Sequence, residues 1–219
     1  MSHLLHIDSS ALSQGSVSKE LAETFRRVWA ENNPQGTVTH RDLGTVPVPH
    51  LTEAGVTAGF TPHVAMNREQ QAATLLRDVL IEELLAADAV LVSTPMYNWS
   101  IPSTLKAWID QVLVNDRTIT FDGSPGPLAG RPATVVASYG GGYSPGAPME
   151  RANHCGPYLE TVFGTGLGMQ TEVISAQLSL APRVPAMADL VPLAEQSRAA
   201  AHQAVAERAR TLATALVSA

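Results

Sequence analysis

Short apolar or β-branched runs alternate along this chain with longer stretches in which apolar side chains return every three or four positions. Residues 4–7, 89–92 and 134–137 are apolar runs, and β-branched side chains mark 37–41 and 171–174. Ala89, Val90, Leu91 and Val92 leave no polar side chain for a solvent face, as in a strand covered on both sides of a parallel sheet. Between these runs the period changes to that of a helix. Leu21, Phe25, Val28 and Trp29 share one face of a segment starting near Ser16. Asn67 is placed to cap the next helix, with Gln70 as its capping-box partner, and Leu75, Leu76, Val79, Leu80 and Leu84 are expected as its buried stripe. Leu105, Trp108, Ile109 and Val112 mark a further helix, residues 148–163 a helical region, and Val205, Ala209, Leu212 and Leu216 a last one. Five strands alternating with helices predict a three-layer α/β/α domain. Right-handed crossovers would join its parallel sheet, with strand order 2-1-3-4-5.

Two stretches do not fit the alternation. Residues 43–63, with Pro47 and Pro49, read as a long irregular segment, and a short piece at 118–121 leads into a Gly- and Pro-rich loop at 122–127. Loops of that length in a compact domain cover something or reach a partner.

Composition narrows the classes. At 219 residues, 45% hydrophobic and 16% charged, the chain suits one domain with a full core. A net charge of -6 without any basic block argues against nucleic acid or an anionic membrane surface as partner. No apolar segment is long enough to span a bilayer. Residues 1–10 read as the first strand rather than as a secretion signal. Cys155 is the only cysteine, so no internal disulfide can form; a reducing cytoplasm and a buried free thiol are expected. The seven histidines show no metal-ligand spacing, so no metal is expected. Lys106 and Asp110 have the spacing of a solvated helix pair, and Ser103 lacks the surroundings of a hydrolase nucleophile.

The chemistry-bearing residues gather after the first, third and fourth predicted strands. After the first come Ser9, Ser10, Ser13, Ser16 and Ser18, hydroxyls at the start of a helix, where free N–H groups and the helix dipole favour a phosphate. The pattern is neither G-x-G-x-x-G nor G-x-x-x-x-G-K-[ST]. After the third come Pro95, Met96, Tyr97, Asn98 and Trp99, aromatic and amide groups suited to the faces and edge of a flat heterocycle. After the fourth come Ser138, Tyr139, Gly140, Gly141, Gly142 and Tyr143, where glycines permit close backbone approach. Singly, the serines are better explained as caps and the aromatic residues as core packing, and the glycine run equally well as a turn. Ligands of open α/β sheets bind outside the carboxyl ends of the strands, and a phosphate site beside a planar-ring site fits flavin mononucleotide (FMN).

The Met96, Tyr97, Asn98, Trp99 segment with Ile101 and Leu105 downstream resembles the FMN-dependent NADH azoreductases, a bacterial family that also includes quinone reductases. So do the Ser9, Ser10 and Ser16, Val17, Ser18 segments and the Ser138, Tyr139, Gly140, Gly141 turn. The resemblance covers essentially the whole chain. It implies a flavodoxin-like homodimer binding FMN noncovalently, with Ser10, Ser16, Val17 and Ser18 on the phosphate. Pro95, Met96, Tyr97, Asn98 and Trp99 would meet the ring, and Ser138, Tyr139, Gly140 and Gly141 its pyrimidine side. It further implies a ping-pong cycle in which NADH reduces the flavin and an azo compound or quinone is reduced in turn. No catalytic acid or base is expected, and Tyr139 or Tyr143 is a candidate hydrogen-bond donor to the acceptor. Some relatives carry arginine where Tyr139 stands and phenylalanine where Trp99 stands. No arginine cluster for a 2′-phosphate is evident, which points to NADH rather than NADPH. The competing readings are a flavodoxin-like carrier of single electrons and a flavin-free hydrolase or scaffold on the same architecture.

Overall fold

In the computed structural model, which describes residues 1–218, β1 (His3–Asp8), β2 (Thr37–Asp42), β3 (Ala89–Pro95), β4 (Pro132–Ser138) and β5 (Gln170–Ala176) form one parallel sheet. Its order is β2-β1-β3-β4-β5, as the sequence predicts. Central β3 is buried along its whole length. Its continuous apolar run still alternates between two cores: Ala89 and Leu91 face one layer, Val90 and Val92 the other.

On one face lie α1 (Val17–Asn32) and α6 (Val191–Ser218), where Phe25 and Trp29 of α1 pack with Val205 and Ala209 of α6 against Leu4 and Leu91. On the other lie α3 (Arg68–Ala86) and α4 (Ser103–Val112), joined by α5 (Gly156–Leu159) and the wide π turn Glu160–Gly166. There Trp108 stacks on Phe163, ring centroids 6.5 Å apart. No helix among the described residues is long and apolar enough to cross a membrane.

Three local expectations need correction. The Asn67 and Gln70 capping box forms, but Leu75 and Val79 of α3 are exposed; Leu80, Ile81 and Leu84 make the buried face. The helix is turned by Arg77, whose guanidinium donates to Gly55 O at 2.8 Å beneath α2 (Glu53–Ala58). That short helix also means that residues 43–63 are not wholly irregular. The region 148–163 is broken: a 3-10 turn at Glu150–Ala152 precedes α5, and Pro157 stands in the first turn of α5, where its missing N–H costs nothing.

The register brings the carboxyl ends of the central strands together. Asp8 pairs with Ser93 and Pro95 with Ser138, so the segments leaving β1, β3 and β4 start side by side at one edge.

Candidate functional site

The segment leaving β1 is held from below. Buried Asp8 accepts from Ser10 N at 3.1 Å through Oδ1, and its Oδ2 lies 3.2 Å from Lys19 Nζ. Lys19 also reaches Asp42 Oδ2 at 3.3 Å. Partial burial opposes the Lys19 charge, but hydrogen bonds and charges from Asp8 and Asp42 outweigh it and raise its pKa. Burial likewise opposes ionised Asp42, yet bonds from Thr45 and Lys19 hold its carboxyl below the usual range. From the β2 side, Leu43 N donates to Asp8 O at 2.7 Å, and Gly44 lies so close that a Cβ there would stand 2.0 Å from Ser10 O.

At the start of α1, Ser16 is the cap, and its Oγ lies 3.2 Å from Ser18 Oγ. The N–H groups of Ser16, Val17 and Ser18 donate to no backbone carbonyl among the described residues. A first helical turn leaves such donors free for an anion.

The segment leaving β3 makes a tight reversal. Tyr97 N donates to Ser100 O at 2.9 Å and Ser100 N to Tyr97 O at 3.1 Å. Asn98 and Trp99 between them take φ of 49° and 68°. A turn with both central residues left-handed normally calls for Asn-Gly. Asn98 tolerates the conformation; Trp99 is strained in it. Trp99 O is fixed by His154 N at 2.9 Å, and the ring is 52% exposed at the apex.

Cross-bonds join the segments. Met96 N donates to Ser138 O at 2.8 Å, and Ala11 N to the Tyr97 hydroxyl at 3.3 Å. After β5, Leu180 N donates to Gly140 O and Leu178 N to Gly141 O. The N–H groups of Gly140, Gly141 and Gly142 donate to no backbone carbonyl among the described residues.

Of the residues singled out in the sequence, Ser10, Ser16, Val17, Pro95, Met96, Tyr97, Ser138 and Gly140 line one crevice of about 220 Å³. Asn98 faces instead a second hollow of about 520 Å³, which shares Tyr97 as a wall and is floored by Ile101, Ser103, Lys106 and Tyr158. Lys106 contacts Asp110 there, the pair the helix spacing suggests. Ser18 and Gly141 do not line the crevice, though Ser18 Oγ lies 3.2 Å from Ser16 Oγ. Tyr139 departs from expectation. Its side chain is 2% exposed in the core, the hydroxyl beside Asn153 and Gly156, and burial raises its pKa above the ordinary phenol value. Its hydroxyl is therefore turned away into the core, and Tyr139 does not line the crevice. Tyr143 packs edge-on against it, centroids 5.8 Å apart.

Sequence reasoning missed Leu12, Gly15, Ser179, Leu180 and Arg183, which complete the crevice. The last three follow β5 at the same sheet edge. The rule that ligands sit beyond strand ends would have included them had it been applied to all of the strands. Among the described residues no three His, Cys, Asp or Glu side chains group as metal ligands.

The chain matches the family described as having a flavodoxin-like fold over residues 2–183. It is 49% identical over 214 residues to the FMN-dependent NADH:quinone oxidoreductase of Streptomyces avermitilis, covering 97% of this chain and 98% of the relative. To the protein of that name from Streptomyces coelicolor it is 46% identical, covering 97% and 96%. Among solved structures, an FMN-dependent NADH-azoreductase from Bacillus anthracis in complex with FMN superposes with a TM-score of 0.81 at 21% identity, covering 96% of this chain and 99% of that one. That likeness establishes the shared fold.

Proposed function

Since the chain belongs to the flavodoxin-like family of FMN-dependent NADH:quinone oxidoreductases, we propose that it binds FMN noncovalently and uses NADH to reduce quinones, with azo compounds as further acceptors. The observation that carries this reading is the meeting of the segments after β1, β3, β4 and β5 on one crevice, with N–H groups at its α1 end and at its glycine end that pair with no backbone carbonyl among the described residues.

The residues fit the group. Ser10, Ser16, Val17 and Ser18 would take the phosphate through hydroxyls and helix-start N–H groups. Met96 and Tyr97 would bound the ring from the crevice, and Asn98, beside Trp99 at the turn, would meet it from the adjoining hollow; the N–H groups of Gly140 and Gly141 would hold negative charge at its pyrimidine edge. When bound, the flavin supplies a two-electron centre that takes hydride from NADH and passes electrons to the acceptor. The lining of the crevice contains no carboxylate or imidazole, which suits a protein that orients its reactants and leaves the chemistry to a cofactor. Donor and acceptor would take turns at one open face, a ping-pong order that predicts parallel double-reciprocal plots. Lys106 and Tyr158 are among the polar groups of the adjoining hollow.

A homodimer is part of the proposal. Trp99, Phe60 and Phe121 on loops and turns, and Val64 in a 3-10 turn, are exposed apolar side chains of the kind a second copy would cover. Light scattering that returns a monomer mass would remove it. A cytoplasmic location agrees with the single buried thiol.

The test of the whole reading is the visible spectrum. The purified protein, as isolated or after adding FMN, should be yellow, bleach anaerobically with NADH, and regain colour with a quinone. Colourless protein that takes up no FMN would overturn it. Bound FMN that NADH cannot bleach would favour an electron carrier.

A further inference from the structure

We infer that Arg183 is the counter-charge of the flavin phosphate and makes this site select FMN over riboflavin; the inference rests on the flavin reading above. The N–H groups of Ser16, Val17 and Ser18 offer a phosphate only partial charges, and a guanidinium beside them would add a full positive charge and a stronger, charge-assisted contact. Three cationic side chains stand within reach of the start of α1, and two are engaged. Lys19 is bracketed by Asp8 and Asp42, at 3.2 and 3.3 Å. Arg198 is paired with Glu20.

Arg183 is different. Its Nη2 makes one hydrogen bond, to Gly15 O at 3.3 Å, and it forms no ion pair with a carboxylate of the described residues. It lines the crevice together with Ser10, Ser16 and Val17. The backbone that presents it is firmly set: Arg183 N and Val184 N both donate to Leu180 O, at 2.9 and 3.0 Å. Gly15, at φ +68°, is what lets the guanidinium lie so close, because a Cβ there would stand 3.1 Å from Nη2. The arm thus crosses from the segment after β5 to the tip of the segment after β1 and closes the phosphate end. A guanidinium held to one carbonyl keeps its other N–H groups for an incoming oxyanion.

Riboflavin has the same ring and ribityl chain without the phosphate, so it separates a charge contact from a structural one. The test strips the protein of flavin and titrates wild type, Arg183→Ala and Arg183→Lys with FMN and with riboflavin, following flavin fluorescence. Loss of a charge-assisted contact at an exposed position should raise the FMN Kd of Arg183→Ala about tenfold, leave riboflavin within about twofold, and leave Arg183→Lys between the two. Raised ionic strength should narrow the FMN gap between wild type and Arg183→Ala. Equal weakening of both flavins would show that Arg183 only props up the segment after β1, and unchanged FMN binding would show no contact; either result overturns the inference. Wild-type protein that binds neither flavin overturns the flavin reading itself, a result distinct from both.

Discussion

A single methyl group added at Gly44 tests how firmly the turn after β2 sets the phosphate segment. In Gly44→Ala the new Cβ would lie 2.0 Å from Ser10 O and 2.9 Å from Ser10 C. Ordinary van der Waals contact begins at 3.4 Å, so one partner must retreat by 1.4 Å (3.4 minus 2.0). Both are backbone, and neither is free to swing aside. Ser10 is held by its N–H on Asp8 Oδ1 and by Leu12 N on its own Oγ, while Leu43, next to Gly44, is bound to Asp8 O. Overpacking of this kind costs about 1–3 kcal/mol, and breaking one of those hydrogen bonds adds about 1 kcal/mol. For a domain of this size, about 3 kcal/mol lowers the melting temperature by roughly 6–12 °C. Because the displaced atom belongs to the segment proposed to hold the phosphate, FMN binding should weaken about tenfold as well. Calorimetry of the flavin-free protein and a flavin-fluorescence titration measure the two effects. Gly59→Ala is the control, since a Cβ there meets only Val56 O at 3.4 Å. A Gly44→Ala protein that melts and binds FMN as the wild type does would show that the two turns slide past each other, and the buttress would have no role.

Other outcomes follow from features of single residues. Trp99→Gly should be more stable than Trp99→Ala by about 1 kcal/mol, since both remove the ring and only glycine is at ease at φ 68°; Ala equal to or above Gly in denaturant titration would refute the strain at Trp99. Burial, then the neighbouring charges of His40 and Arg26, hold the pKa of His6 well below 6.5, and its Nδ1 has no partner. Its folded-state value is the depressed one, so stability is whole above 6.5 and falls as pH drops from 6.5 toward the folded value, by at most about 1.4 kcal/mol per pH unit. His6→Gln should flatten the melting temperature between about pH 7 and pH 5, and a variant with the wild-type slope would rule His6 out. Burial pushes the Cys155 thiol up to about 12, so a thiol reagent at mildly alkaline pH should label the unfolded chain and spare the folded one; stoichiometric labelling of native protein would contradict that placement.

The sheet was legible because its signals are local and repeated. Residues 89–92 have no polar position, so β3 had to lie centrally, and the stripe of Leu21, Phe25, Val28 and Trp29 left one orientation for α1. The orientation of α3 was not legible, because two apolar rows compete along it and the choice falls to Arg77, whose partner carbonyl is 22 residues away in sequence. The left-handed reversal at Asn98 and Trp99 was hidden because no glycine announces it. The inward side chain of Tyr139 was in principle readable: it lies two residues beyond Ala137 and four beyond Val135, on the same face of the β4 alternation, and continues that row into the core. The segment after β5 escaped notice because Leu178, Ser179 and Leu180 look like ordinary loop; only the sheet register shows that it returns to Gly140 and Gly141.

The cross-bonds among the strand-end segments have a consequence for the life cycle of the protein. Met96 to Ser138, Ala11 to Tyr97 and Leu180 to Gly140 are contacts of the chain with itself, in which no atom of a guest takes part. The mouth of the sheet is therefore assembled during folding, and a newcomer has little disorder to remove. Such a vessel should survive being emptied and refilled without coming apart.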